Sequence, residues 1–227
     1  MSTRSNSLVH RYTDLPVLFY TLQKRRLKFL DPQSWDDKND SYFLSLYRKS
    51  KELSCLLALC FSATNETYHH WKVFANGSGG VRVSFDKQRL VKLVNEYEGF
   101  RCGMVRYRRL NQLNEGAPKI QELPFLKRDP YRHEEEFRII FQSRTFEQKP
   151  IYIHLPLTLI QGISLSPWLN ERLVAPVISM IKKIDGCENL KIHKSTLISN
   201  ELWKSYGDEA LGLEPSPEEI EPPKRSK

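Results

Sequence analysis

KRDPYRHEEEFRIIF, residues 127–141, is the stretch on which the reading of this chain turns. Three glutamates, Glu134 to Glu136, run directly into an apolar segment, in a chain whose formal charge is +8. As a strand, the segment puts Glu134 and Glu136 on one face and Glu135 on the other, because side chains alternate along extended backbone. Two carboxylates on one face repel, and poor hydration then raises the pKa of one of them. The triplet is a solvated edge, a structural pairing with Arg132, His133 and Arg138, or a site that needs negative charge.

The flanking sequence supplies more strands. LLALCFSAT (56–64) is a continuous apolar run of the kind a strand buried on both faces produces. GVRVSFD (80–86) alternates strictly and reads as a strand. Further strands are expected from LVHRY, around 27–30, in CGMVRY (102–107), in KPIYIHLP (149–156) and in LKIHKSTL (190–197). Helices are expected from about Leu15 to Lys24, with Asp14 as N-cap and Pro16 in the first turn. Others are expected within 34–51, as a short helix in NETYHHWKVFANGSGG (65–80) closed by its glycines, over KQRLVKLVNEY (87–97) and in ERLVAPVISMIKKI (171–184). The strands are not regularly interleaved with helices. The expectation is therefore one mixed α+β domain over 9–210, with a central, mostly antiparallel sheet flanked by short helices, or two packed sheets as the variant arrangement. Residues 1–8 are expected to be a flexible N-terminus, and the proline-rich, charged 211–227 a disordered tail.

At 227 residues and 40% hydrophobic, with 11 Phe and 10 Tyr, the chain suits one domain with a real core. No apolar run is long enough to span a bilayer, and the first residues lack the apolar stretch of a secretory signal. Cys55, Cys60, Cys102 and Cys187 are irregularly spaced, so a zinc site is not expected and a reducing cytoplasm is the simplest setting. The positive charge points to an anionic partner: nucleic acid, phosphate or a nucleotide. KRRLK (24–28), RYRR (106–109) and the lysines around Lys182 and Lys183 are the local clusters.

Three smaller groups bear chemistry. His10-Arg11-Tyr12-Thr13 lies at the start of the first strand, where a strand end grips a ribose or phosphates through charge-assisted contacts. Ser62 and Thr64 end the apolar strand, with His69, His70, Trp71 and Phe74 soon after. Adjacent histidines lack the i, i+4 spacing of a helical zinc pair. Trp71 and Phe74, at i and i+3, share a helix face. GSGG lacks the lysine-hydroxyl ending of a phosphate loop, and Ser62 lacks a nucleophile elbow.

In order, RYTDLPVLFYTLQKRRLKFLDPQSWDDKND, LCFSATNETYHHWKVFANGSGGVRVSFD, VRY, LKRDPYRHEEEFRII and LPLTLIQGI resemble the bacterial domain of unknown function 2971 family over about residues 11–165. Tyr12, Asp37, Asp40, Cys60, Phe61, Ser62, Trp71, Gly80, Phe85, Asp86, Lys127, Glu134, Glu136 and Arg138 match its pattern, while Asp36, Lys38, Phe74 and Tyr131 depart from it. More distantly, the layout resembles ADP-ribosyltransferases. That resemblance implies NAD as co-substrate, with His10 or Arg11 as its anchor in the strand that Tyr12 shares. Ser62 and Thr64 would form the middle motif, with Trp71 beside them as part of the NAD-binding set. Glu136 would hold the nicotinamide ribose and steady an oxocarbenium-like transition state, and Glu134 would activate a nucleic-acid or protein acceptor. The implied activity is an NAD-dependent ADP-ribosyltransferase or NAD glycohydrolase, of the kind found in toxins and phage-defence effectors, with no metal.

Two other classes remain beside it. In a non-catalytic basic binding or antitoxin-like module, Glu134 and Glu136 pair with Arg132 and Arg138 to hold the fold, and no cleft opens over them. In a nuclease-like protein, Asp37, Asp40, Glu134 and Glu136 surround magnesium. The transferase reading requires Glu136 and the His10–Tyr12 strand end to meet in one cleft.

Overall fold

Asp14 ends the first strand and starts the first helix. Its extended backbone closes β1 (Leu8–Asp14), and its carboxylate accepts from the Val17 amide to cap α1 (Leu15–Lys24). The same economy recurs at Asp37, which caps α2 (Lys38–Ser50), and at Asp86, where β4 (Gly80–Asp86) turns into α4 (Lys87–Asn95). The computed structural model describes residues 8–75 and 77–212. Besides these elements it contains β2 (Arg26–Phe29), β3 (Cys55–Ser62), α3 (Tyr68–Phe74), β5 (Phe100–Met104), β6 (Arg106–Arg108) and β7 (Leu126–Arg128). The C-terminal third contains β8 (Glu136–Ser143), β9 (Ile151–His154), β10 (Ile160–Leu165), α5 (Glu171–Lys182), β11 (Ile192–Lys194) and α6 (Glu201–Ala210).

Seven strands form one sheet in the order β11-β10-β4-β1-β3-β8-β5, antiparallel throughout except for β10 beside β11. Two small pairs, β2-β9 and β6-β7, stand apart from it. The chain is thus a mixed α+β domain with a large, mostly antiparallel sheet. Among the described residues its seven strands form one continuous sheet rather than two packed ones. The nearest approach to that arrangement is the β1/β3 seam, where His10 opposite Ser62 is the one register pair, against seven between β1 and β4.

Alternation along β3 and β8 divides the core. Leu57, Leu59, Phe61, Phe137, Ile139 and Phe141 face the main cluster, which is closed by α1, α4 and α5 through Leu18, Leu22, Leu90 and Ile181. On the opposite face, Leu56, Ala58 and Ile140 meet Leu44 and Tyr47 of α2. That second apolar patch stops before the strand ends, and the positions beyond it on the same face are polar.

Several expectations change in the structure. Only Glu136 of the glutamate triplet lies in a strand. Glu134 ends a 3-10 turn (Asp129–Glu134), and Glu135 adopts the left-handed region at φ 41°. CGMVRY splits at Val105, whose amide donates to the Glu136 carbonyl at 2.8 Å, so Arg106–Arg108 leaves the main sheet and pairs with β7. β10 and α6 have no counterpart in the expected elements. IQGISL is interrupted by Gly162 and does not alternate strictly, and ELWKSYGDEA contains a glycine and exposes Trp203 and Tyr206. The expected loose N-terminus and charged tail fall outside the described residues, except that Leu8 already opens β1 and Leu211 and Gly212 follow α6.

Gly99 makes the tight entry into β5. Its φ is +82°, and a Cβ there would sit 2.6 Å from the Gln142 carbonyl oxygen. Gly99→Ala should therefore destabilise the protein by about 1–3 kcal/mol, seen as a melting temperature several degrees lower; an unchanged melting temperature would show that the β5–β8 junction yields freely.

Candidate active site

The sheet register builds the site. Antiparallel pairing places His10 opposite Ser62 and Ser62 opposite Glu136, a polar row across β1, β3 and β8. One step along, Cys60 lies opposite Arg138. These residues continue the face whose apolar part is covered by α2, and a cleft of about 570 Å3 opens over them. Its walls are the β1 segment His10–Tyr12, the β3 end Cys60–Ser62, the loop carrying Trp35 and Asp37, and Lys127, Glu134 and Glu136. That volume lies within the range of small-molecule sites.

Arg138 is the centre of the floor. It is wholly buried, and its guanidinium donates to Glu136 from Nε (2.7 Å) and Nη2 (3.0 Å). It also donates to both oxygens of Asp40, from Nη1 at 2.9 Å and Nη2 at 2.6 Å, and to the Pro124 carbonyl at 2.9 Å. Lys127 Nζ makes the second cationic contact, 2.6 Å from Glu134, 3.5 Å from Glu136 and 3.8 Å from Asp40. Aromatic rings lie against both cations: Trp35 4.9 Å from the Arg138 guanidinium carbon and Tyr131 4.7 Å from Lys127 Nζ.

Three carboxylates thus share two cations, so the floor holds either one extra negative charge or one extra proton. The two glutamates are driven in opposite directions. Burial alone would raise Glu136, but the Arg138 and Lys127 charges outweigh it and hold the carboxyl at about 2. Burial raises Glu134 above the usual carboxylate range, and Lys127 only partly offsets it. Titratable neighbours pushed apart in this way divide acid–base work between them. Glu136 stays ionised, while Glu134 and Asp40, both raised by burial, are the carboxylates where a proton would be carried.

The backbone around Glu135 makes this possible. A residue at φ 41° costs of order 1–3 kcal/mol when it is not glycine, and its turn swings Glu134 back beneath the strand end. Ser62 fixes the turn by donating from Oγ to the Glu134 carbonyl (2.9 Å), and Ala63 donates to the Glu135 carbonyl (2.8 Å). Ser62 is thereby a structural part of the site. Thr64 does not line the cleft; its amide donates to Ser62 Oγ at 3.3 Å.

On the opposite wall, Arg11 makes no ion pair with any described residue, and burial lowers its pKa without a carboxylate to restore it. His10 is buried, with Nδ1 2.9 Å from Ser84 Oγ; burial, then the charge of Arg82, brings it down to about 4. Tyr12 stacks on His70 at 5.4 Å and meets Trp71 edge-on at 5.3 Å. Burial pushes the Tyr12 hydroxyl up to about 12. Trp71 does not reach the cleft: it is fully buried and donates from Nε1 to Glu66 at 2.8 Å. Phe74, expected on its face, instead lines the cleft and is 41% exposed, because α3 ends there.

Each alternative therefore meets part of its requirement. Glu134 and Glu136 are engaged by ion pairs, as a binding module needs, although Glu134 takes Lys127 rather than an arginine and Arg132 pairs with Asp129. A cleft nonetheless opens over them, and it includes the His10–Tyr12 strand end. The magnesium arrangement is not formed. Asp40, Glu134 and Glu136 converge on Lys127 Nζ, and among the described residues no His, Cys, Asp and Glu cluster of three or more is arranged to hold a metal ion. Trp35 and Tyr131 carried no role in the sequence reading. The signal available was an aromatic in each polar segment that also carries a matched acid.

No family model and no curated protein matches the chain, so the likeness to the domain of unknown function 2971 family stays one of motifs. Solved structures of DarT from Thermus sp. 2.9 follow a similar path. The complex with carba-NAD+ is 11% identical at a TM-score of 0.44, covering 84% of this chain and 96% of that one. The NAD+ complex is 11% identical at 0.42 (86% and 98%), and the complex with ADP-ribosylated ssDNA 10% at 0.45 (86% and 97%). At these values the likeness says nothing of chemistry, and the site is read from its own residues.

Two outcomes are expected from this geometry. Arg138→Met strands Asp40 and Glu136 as buried charges and should cost about 3–5 kcal/mol in a denaturant titration; a smaller loss would mean that water reaches the network. Lowering pH should destabilise the protein in two stages. The neutral, buried His10 and His70, both held at about 4 by burial first, resist protonation that the unfolded chain accepts, so stability falls as pH drops from about 6.5 to about 4. Glu136, at about 2 against an ordinary 4.5, adds stability that is present above about 4.5 and is lost as pH falls towards 2. Thermal melts across this range should show His70→Gln flattening the upper stage and Glu136→Gln the lower.

Proposed function

We propose that this chain is an NAD-dependent ADP-ribosyltransferase, acting as an NAD glycohydrolase when water is the acceptor. The observation that carries the reading is one cleft lined both by Arg11, an ion-pair-free cation among the described residues, and by Glu136, a carboxylate kept ionised. An uncommitted cation in a partly buried wall is a receptor for an anion, and a pyrophosphate supplies one. A fixed carboxylate in the same cleft favours a substrate that becomes cationic as it reacts.

In that chemistry the C–N bond between nicotinamide and ribose breaks. Nicotinamide leaves with the bonding pair, and positive charge spreads over the ribose C1′ and ring oxygen, where Glu136 stabilises it. The acceptor oxygen or nitrogen then bonds to C1′, and Glu134 takes its proton. The Arg138 and Lys127 contacts set the geometry of both carboxylates before substrate arrives. The net charge of +8 favours an anionic acceptor, nucleic acid before protein. NAD depletion inside a cell would make such a protein growth-inhibiting, in keeping with a toxin or defence effector. The second reading is a nucleotide-binding module without turnover, favoured by the three protein contacts already made to Glu136.

Purified protein incubated with NAD, and with single-stranded nucleic acid or lysate protein as acceptor, should release nicotinamide. Glu136→Gln should lower the rate by about 100-fold or more, and Arg11→Gln should raise KM more than it lowers kcat. NAD binding without nicotinamide release under any acceptor would leave the binding module as the function.

A further inference from the structure

A second cavity, of about 470 Å3, lies at the other end of α2 from the cleft and shares no lining residue with it. Tyr47, Lys51 and Leu53 line it where α2 ends, with Arg101 of β5, Gln121, and Gln142 and Arg144 where β8 ends. Arg101 pairs in register with Ile140, so its side chain lies on the sheet face that α2 covers. Gln142 is six residues beyond Glu136 on β8, about 20 Å along the strand.

The lining holds three cations and no carboxylate. Glu52, next to Lys51, does not line it, and Glu147 pairs with Lys149. Arg101 is held by uncharged groups alone. Its Nη1 donates to the Tyr47 hydroxyl (2.7 Å), which donates to Gln142 Oε1 (2.6 Å), and its Nη2 donates to the Gln121 carbonyl (3.3 Å). The rings of Tyr47 and Phe125 lie 5.8 and 5.5 Å from its guanidinium carbon. Tyr47 is only 2% exposed, so this chain of bonds fixes the guanidinium from the buried side. Arg144 is placed by its Nε, which donates to the Lys51 carbonyl at 3.2 Å. The groups left unspent are donors. Lys51 Nζ, the terminal nitrogens of Arg144, Arg101 Nε and the side-chain nitrogen of Gln142 have no partner among the described residues. The last carbonyls of α2 do not offset this charge, because the amides of Lys51, Glu52 and Leu53 already meet those of Tyr47, Lys49 and Arg48.

We propose that this pocket binds a phosphate group, carried by a nucleotide or by a nucleic-acid strand. Cations gathered without a counter-charge repel one another. An anion with several acceptor oxygens relieves that repulsion and meets the donors together. Phosphate suits the set better than a carboxylate, since a monoester carries close to two negative charges and a strand carries several, and the arginine fork matches its oxygens. The cavity is larger than a bare phosphate and lies in the range of small-molecule sites, so the phosphate enters with a body attached. This site is independent of the NAD reading.

Inorganic phosphate, adenosine 5′-monophosphate and a short oligothymidine without terminal phosphates are titrated into the full chain by calorimetry at fixed ionic strength. Wild type is compared with Lys51→Gln/Arg144→Gln and with Arg101→Lys, which keeps the charge and loses the fork. Lys182→Gln/Lys183→Gln removes two exposed charges elsewhere on the surface and controls for general electrostatics. Melting temperature without ligand checks the folding of each variant. At least one probe should bind wild type, with affinity lowered about 10-fold or more by the first double variant and lowered also by Arg101→Lys, while the control binds as wild type does. Tightest binding of the monophosphate would assign a nucleotide, and displacement of phosphate by the oligothymidine a strand backbone. No binding by wild type, unchanged affinity in both pocket variants, or an equal loss in the control would overturn the site. Each of those results leaves the NAD reading standing, because the two cavities have no residue in common.

Discussion

The buried guanidinium of Arg138 is the group on which the rest of this molecule depends. A charge with no solvent contact needs every donor met, and Arg138 meets its own from Asp40 on α2, Glu136 on its own strand and the Pro124 carbonyl. Those bonds tie α2 and the 120–125 turn to one face of β8. A lysine could not substitute, since its ammonium lacks the planar fork that meets both oxygens of Asp40 and both of Glu136 together. The pair is costly to bury and costly to break, and its position at the floor of the cleft ties that cost to the site. It keeps Glu136 ionised in surroundings that would otherwise protonate it.

The second constraint is the seam between β1 and β3. β1 is fully laddered to β4, and beside β3 it has the single pair His10–Ser62. Backbone that does not pair is free to admit a cleft, and the polar ends of three strands face it. The left-handed turn at Glu135 completes the arrangement by folding Glu134 under the strand so that both glutamates address Lys127. Arg11, which lines the same cavity, has no such partner among the described residues.

Much of the fold was legible in residue order. Asp14 and Pro16 announced α1, GVRVSFD announced β4 through strict alternation, and LLALCFS read as a strand covered on both sides because both faces are apolar. The failures have physical causes. Glu134-Glu135-Glu136 looks like continuous strand, yet a left-handed residue interrupts it, and nothing local marks a glutamate as left-handed. IQGISL becomes a sheet strand because β4 and β11 flank it, a circumstance that local pattern does not record. Trp71 and Phe74 have helical spacing but part company, one buried beneath Tyr12 and one at the cleft, because the helix stops.

The sequence by itself determined the class of this protein and the kinds of chemistry it holds: alternating and continuous apolar runs make strands, capped amphipathic segments make helices, and a cluster of acids amid cations makes a charged site. Only the tertiary structure decided which acids meet which cations. The pairing of His10, Ser62 and Glu136 in one row, the sharing of Lys127 by two glutamates, the meeting of Lys51, Arg101 and Arg144 in one pocket and the withdrawal of Trp71 into the core are products of sheet register and helix docking. Register joins residues more than fifty positions apart, and the side chains it brings together carry no mark in the local sequence of the partners they will have.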